Sequence, residues 1–344
     1  MLTVGSTFTG VGGADLGFEW AGYKIAWQCE LDAWKRSVLA AHWPDIPIYE
    51  DITELHKPEY VDVMIGGFPC QDLSVAGKRK GFDGERSVLA FEFLRLAESL
   101  KPRWLVLENV PGLLSSNKGL DFHRLVSEVV ACGYCVGWRC LDARYFGVPQ
   151  RRRRIFLVAR RAEAGLSPRD ASGLALRSLC ESGSGDITPC VPSWQGTPSD
   201  TGGGTGEGRI VGALSARGYT QYTDQEFVRG GQLVTDHDLV GFRKSARVSG
   251  PGTPETWVDD GRANTLNSFD VGDVRTTHAI VDPSIVRRLT PLECERLMGW
   301  PDNWTAPEGV KAPDSRRYAA CGDGIVANVA YWIAQRIRKI EEKA

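Results

Sequence analysis

Four short stretches of the chain carry residue types that can do chemistry. In Gly66-Gly67-Phe68-Pro69-Cys70-Gln71-Asp72-Leu73-Ser74 a rigid proline presents a cysteine just after an apolar run. Free cysteines are more often buried and inert than reactive. Here polar residues follow Cys70, and Lys78-Arg79-Lys80 stand between Gly77 and Gly81 as a basic loop suited to phosphate. That context favours a nucleophile. Glu108-Asn109-Val110 offers a carboxyl that could protonate a ring nitrogen if its pKa is raised. Gln150-Arg151-Arg152-Arg153-Arg154-Ile155 carries charge into an apolar run, which is costly unless the cations have partners. Phe8-Thr9-Gly10-Val11-Gly12-Gly13 is a glycine turn that brings backbone N–H groups close to a ligand. Glu30 follows it at the spacing of a ribose-binding acid, and Asp51 is placed to accept from an adenine amine.

Such residues need a frame. Leu2–Phe8, Ile25–Cys29, Val61–Ile65, Trp104–Leu107, Tyr134–Leu141 and Ile155–Ala159 read as buried strands. Ala14–Trp20, Ala33–Ala41, Val88–Leu100 and Phe122–Cys132 carry helical periodicity between them. The alternation predicts an α/β fold with a doubly wound, mostly parallel sheet, whose ligands bind at the carboxyl ends of the strands. The glycine turn, the Cys70 loop and Glu108-Asn109-Val110 fall at such ends, and the arginine run leads into a strand. Alternation along a strand predicts that Arg152 and Arg154 share a face.

Residues 161–285 differ in character. They hold 19 of the 39 glycines and carry 11 basic against 16 acidic residues. Ser182–Gly208 reads as a loop, and Ile210-Val211 and Gln232-Leu233-Val234 as brief strands. Helical signals return at Thr290-Pro291-Leu292-Glu293 and over Val326–Ile340. The expected organisation is a catalytic, cofactor-binding domain over 1–160, an inserted recognition domain over 161–285, and a return to the first domain over 286–344.

The 344 residues are 42% hydrophobic and 24% charged, values that exclude a disordered or collagen-like chain. A net charge of -2 excludes a protein that simply coats nucleic acid, so any such site is a local patch. No membrane span and no signal peptide are expected, and the nine irregularly spaced cysteines suit a reducing cytoplasm. Cys132, Cys135 and Cys140 lack the partners of a zinc site, and no metal is expected.

Taken in order, the glycine turn, Glu30, Asp51, the Pro69-Cys70 loop, Glu108-Asn109-Val110, the arginine run and the late Arg288-Leu289-Thr290-Pro291-Leu292-Glu293 stretch resemble the DNA (cytosine-5) methyltransferases. The resemblance covers about 1–160 and 286–344 closely. It implies a class I methyltransferase fold that uses S-adenosylmethionine. Phe8, Gly10, Val11, Gly12, Gly13, Gly67 and Pro69 would line the cofactor pocket. Glu30 would hold the ribose, Asp51 with Ile52 the adenine, against which Leu31 would pack, and Asp323 would line the same pocket.

By the same resemblance Cys70 would attack C6 of a flipped cytosine, Glu108 would bond its N3 and exocyclic amine, and Arg152 would hold the pyrimidine. Asn109 would brace the Cys70 loop. Gln71, Ser74, Lys78, Arg79, Lys80, Asn109 and Arg154 would meet double-stranded DNA, joined by Arg243, Lys244, Arg262 and Thr265 of the inserted module. The chain departs from the family where Leu31 replaces an aromatic and Asp323 an asparagine. A monomer is implied, with a host restriction endonuclease the possible functional partner. Two alternatives share parts of this pattern: a C5 methyltransferase of transfer RNA, and a sequence-specific DNA-binding protein without catalysis.

Overall fold

The computed structural model describes residues 1–68, 88–162, 166–179, 240–244, 257–258, 278–282, 285–287 and 289–343. Seven strands form one sheet: β1 (Thr3–Thr7), β2 (Lys24–Cys29), β3 (Ile48–Tyr49), β4 (Val63–Gly66), β5 (Trp104–Asn109), β6 (Tyr134–Asp142) and β7 (Arg153–Arg161). Their order is β3-β2-β1-β4-β5-β7-β6. Only β7 runs against its neighbours, pairing antiparallel with both β5 and β6. The central strands are buried on both faces, as parallel strands sandwiched by helices must be.

The helices α1 (Gly13–Trp20), α2 (Ala33–His42), α3 (Val88–Leu100), α4 (Leu120–Ala131) and α5 (Pro168–Arg177) follow the strands. After the inserted stretch come α6 (Pro291–Leu297), α7 (Asp314–Asp323) and α8 (Ala327–Glu341). Two apolar cores result, one on each side of the sheet. The first joins α1 to α6, α7 and α8 through residues such as Phe18, Trp300 and Ile333. The second packs α3 and α4 on the opposite face through Phe93, Leu96 and Leu125. The C-terminal 50 residues therefore complete a layer of the N-terminal sheet. The fold class read from the sequence, doubly wound and of the class I methyltransferase type, is the one observed.

The late helix start is as local signals predict: Thr290 and Glu293 form a reciprocal capping box at α6. α5 lies in the stretch read as the start of the second module, yet Ala171 and Ala175 are buried and the helix packs on β6 and β7. Ser167 caps it and Pro168 is its first residue. From the inserted stretch the structure describes a second sheet, ordered β11-β10-β8-β9, from β8 (Val240–Lys244), β9 (Trp257–Val258), β10 (His278–Asp282) and β11 (Ile285–Arg287). The strands expected at 210–211 and 232–234 lie outside the described residues.

Candidate active site

In an open α/β sheet the crevice lies where the strand order reverses. Here that point is between β1 and β4: β2 and β3 extend the sheet one way from β1, and β4 and β5 the other. The glycine turn leaves β1 at this point, and Gly67-Phe68 leaves β4 beside it.

The turn is built from backbone that side chains resist. Gly10 and Gly12 have φ of 63° and 82°, and Gly12 serves as the N-cap of α1. Phe8 also sits at positive φ, 52°. Thr9 N–H donates to the Cys29 carbonyl at 3.1 Å, and its hydroxyl reaches the same oxygen at 3.0 Å. Gly10 N–H donates to Glu30 Oε2 at 2.7 Å, and Asp32 N–H to Glu30 Oε1 at 2.9 Å. The ends of β1 and β2 are thus laced together, with Glu30 at the seam.

Beside this seam an open cavity of about 380 Å³ is lined by Leu31, Tyr49, Glu50, Asp51, Glu54 and Leu55. Leu31 is 68% exposed on its wall. Asp51 uses Oδ1 to accept from the N–H and hydroxyl of Thr53. Ile52 is buried beneath, and Val11 is buried in the core with its carbonyl accepting from Trp304 Nε1 at 2.8 Å. Gly13 lies against the Ile325 carbonyl and the Trp300 ring. Asp323 stands at the exposed end of α7 and pairs with Lys35 Nζ at 3.5 Å. Arg316, on the same helix, pairs with Asp32 at 2.8 Å. So Val11 contributes packing, and Asp323 faces a surface lysine of α2.

The other half of the crevice is ionic. Glu108, near the end of β5, is buried and pairs with Arg154 Nε at 2.9 Å. Burial pushes its carboxyl up from the ordinary value, and the Arg154 and Arg152 cations pull it back. Gly67 has room for no side chain here, since a Cβ would come within 3.0 Å of Glu108 Oε2. Asn109, buried, donates from Nδ2 to the Phe68 carbonyl at 3.2 Å, two residues before Cys70. It braces the start of that loop from the interior and offers no surface to DNA.

β7 begins at Arg153, so Arg152 lies one residue before the strand, and the charges of Arg152 and Arg154 both act on Glu108. Arg152 is buried and donates from Nη2 to the carbonyls of Gly322 and Gly324, at 3.0 and 2.7 Å. Burial and the neighbouring Arg154 cation lower its pKa. Arg154 is the arginine in contact with Glu108. Pro69, Cys70, Gln71, Ser74, Lys78, Arg79 and Lys80 lie outside the described residues, as do Arg262 and Thr265. Arg243 and Lys244 occupy adjacent register positions on β8, opposite Val258 and Trp257 of β9.

The profile of the family described as C-5 cytosine-specific DNA methylase matches residues 2–339. The chain belongs to the C-5 cytosine-specific DNA methylase family. This family member is 29% identical to the type II methyltransferase M2.BsuMI of Bacillus subtilis (strain 168) over 346 residues, spanning 98% of this chain and 75% of that protein. It is 27% identical over 473 residues to a protein of Escherichia phage P1 described as a DNA N-6-adenine-methyltransferase, spanning 98% of this chain and 61% of the relative. A solved DNA modification methyltransferase encoded within an Escherichia coli prophage shares the fold, with a TM-score of 0.60 at 22% identity over 99% of this chain and 100% of that one. Asp15, buried in the first turn of α1 beneath the glycine turn, is a residue near this seam that the motifs do not include.

Proposed function

We propose that the protein transfers a methyl group to C5 of cytosine within a specific double-stranded DNA sequence, with S-adenosylmethionine as donor. The observation that carries this is the buried Glu108 carboxyl, paired with Arg154 and directly behind Gly67 at the start of the Cys70 loop. The pocket residues fit the donor: positive-φ glycines with close backbone approach, Glu30 at the seam of β1 and β2, and a cavity bearing Asp51 and Leu31. Bound there, S-adenosylmethionine supplies an electrophilic methyl on a sulfonium. Phe8, Gly10, Gly12 and Glu30 would hold it, with Asp51 and Leu31 at the adenine.

C5 of cytosine is a poor nucleophile because the ring is electron-poor. In our reading the Cys70 thiolate adds to C6, and Glu108 delivers a proton to N3, so that the electron pair moves to C5. Arg154 orients the Glu108 carboxyl and holds its charge when the proton leaves. Arg152 takes a supporting role, fixing the Gly322–Gly324 turn against the crevice. After transfer, loss of the C5 proton and departure of the thiolate restore the ring. The cytosine must leave the stack to reach this depth, at a cost of a few kcal/mol that DNA contacts offset. Gln71, Ser74, Lys78, Arg79 and Lys80 of the loop, and Arg243, Lys244, Arg262 and Thr265 of the insert, are the contacts we assign to the duplex. The protein acts as a cytoplasmic monomer, and a restriction endonuclease is a functional rather than a bound partner.

The test is transfer of labelled methyl to unmethylated duplex DNA and to transfer RNA, with Cys70→Ala as control and mass analysis of the product nucleosides. The expected product is 5-methylcytosine in DNA, lost in the variant, at sites mapped by bisulfite sequencing. N6-methyladenine, or product in transfer RNA alone, would overturn the reading. Tight sequence-dependent binding without transfer would mark a reader that has lost catalysis.

A further inference from the structure

Beneath the glycine turn lies a buried polar cluster that the reaction does not use. Asp15, in the first turn of α1, is 1% exposed, and Gln28 on β2 is fully buried. Gln28 Nε2 donates to Asp15 Oδ1 at 3.0 Å, and Ser6 Oγ donates to the same oxygen at 2.8 Å. The remaining atoms of the two groups, Asp15 Oδ2 and Gln28 Oε1, are buried and have no hydrogen-bond partner. Both are acceptors when the carboxyl is ionised. Two unsatisfied acceptors in one buried cluster are costly, and one proton answers both.

We propose that Asp15 is a positioning residue of the cofactor pocket that acts as a neutral acid, joined to the Gln28 amide at two points. In that pairing Gln28 N–H meets Oδ1, and the Oδ2 proton meets the Gln28 carbonyl. The cluster reaches the pocket through a short chain of contacts. Ser6 Oγ shares a hydrogen bond with Thr9 Oγ1 at 2.8 Å. Thr9 Oγ1 is bonded to the backbone of Cys29, whose neighbour Glu30 accepts from Gly10 N–H. Asp15 thus sets β1 against β2 at the seam where Glu30 stands.

The charges around it agree with a proton at this site. Burial raises the carboxyl to about 6, against the lowering effect of Gln28, Ser6 and its own N–H. Glu19, one turn along α1, raises it further and is itself bonded to Trp43 Nε1. As pH rises the proton leaves, the two acceptors are left opposed, and the seam loosens. The affinity of the pocket therefore falls with rising pH.

This inference rests on the cofactor reading above, and the experiment separates the two. S-adenosylhomocysteine is titrated calorimetrically into the full chain from pH 5 to pH 8, for the natural protein, Asp15→Asn and Asp15→Leu. Asparagine presents a donor and an acceptor in the same plane and mimics the acid at every pH. Expected is an affinity that falls about tenfold across this range in the natural protein, stays at its low-pH level throughout in Asp15→Asn, and is weak at all pH in Asp15→Leu. Difference infrared spectra without ligand should show a protonated-carboxyl band at pH 5 that is absent from Asp15→Asn. If Asp15→Leu does not fold, the natural protein and Asp15→Asn still decide. Parallel pH profiles for those two, or no carboxyl band, would overturn the proposal, and a buried water between the oxygens would give that result. A natural protein that binds no S-adenosylhomocysteine at any pH overturns the cofactor reading and the positioning role together, while the band still reports the acid–amide pair.

Discussion

The two halves of the crevice are held by different forces. At the ends of β1 and β2, position comes mainly from backbone groups: Thr9 on Cys29, Gly10 on Glu30, Trp304 on Val11. At the ends of β5 and β7 it comes from buried ions, Glu108 on Arg154 and Arg152 on two carbonyls. In the proposed function the first half matches the shape of a nucleoside, for which short-range hydrogen bonds and glycine backbone suffice. The second moves a proton, which calls for a carboxyl whose pKa is tuned by burial against cations. One half should therefore answer to volume and the other to charge.

The largest break in that contrast is Glu108→Gln. It should lower single-turnover methyl transfer by about 10²–10⁴-fold, the range of a lost general acid, while S-adenosylhomocysteine binding stays unchanged. Next is Arg152→Ala, which strips a cation from the Gly322 and Gly324 carbonyls. A urea unfolding curve should show a loss of about 3 kcal/mol.

Arg154→Ala sharpens the same half by pH. The Arg154 cation favours the Glu108 carboxylate, so its removal raises the Glu108 pKa further, and the acid form persists to higher pH. The high-pH limb of the rate profile should move upward. Stability has the same sign: a carboxyl raised on folding favours the native state least once pH exceeds its folded value.

In the backbone-held half, Gly12→Ala forces a side chain into positive φ and against the Trp43 ring. A loss of about 1–3 kcal/mol and weaker S-adenosylhomocysteine binding are expected, with DNA binding retained in a mobility-shift assay. Lys35→Ala should be smallest. Its pair with Asp323 is half exposed, and binding should change by less than about 1 kcal/mol, and less still at high salt.

Much of the catalytic frame was legible because its signals are local. The apolar runs of β1, β4 and β5, the turn at Gly10–Gly13, and the capping box of Thr290 and Glu293 need only neighbours within a few residues. The arginine run reads locally as charge entering a buried strand, but its partners, Glu108 for Arg154 and the Gly322 and Gly324 carbonyls for Arg152, lie far off in the chain. α5 escaped because its apolar content is modest, although Ser167-Pro168 before Asp170 is a helix start. Asp15 is invisible to motif reading because its partners come from β1 and β2, nine and thirteen residues away.

By itself the sequence determined the order of strands and helices, the glycine turn, and the family, since each follows from residue type and spacing along one chain. Tertiary structure decided which arginine meets Glu108, and why Asn109 faces inward. It also decided how Trp304 reaches back 293 residues to the Val11 carbonyl. Those outcomes depend on burial, and burial is a property of elements packed together. A charge or a donor acquires its partner only when the sheet and the returning C-terminal helices exclude water from it.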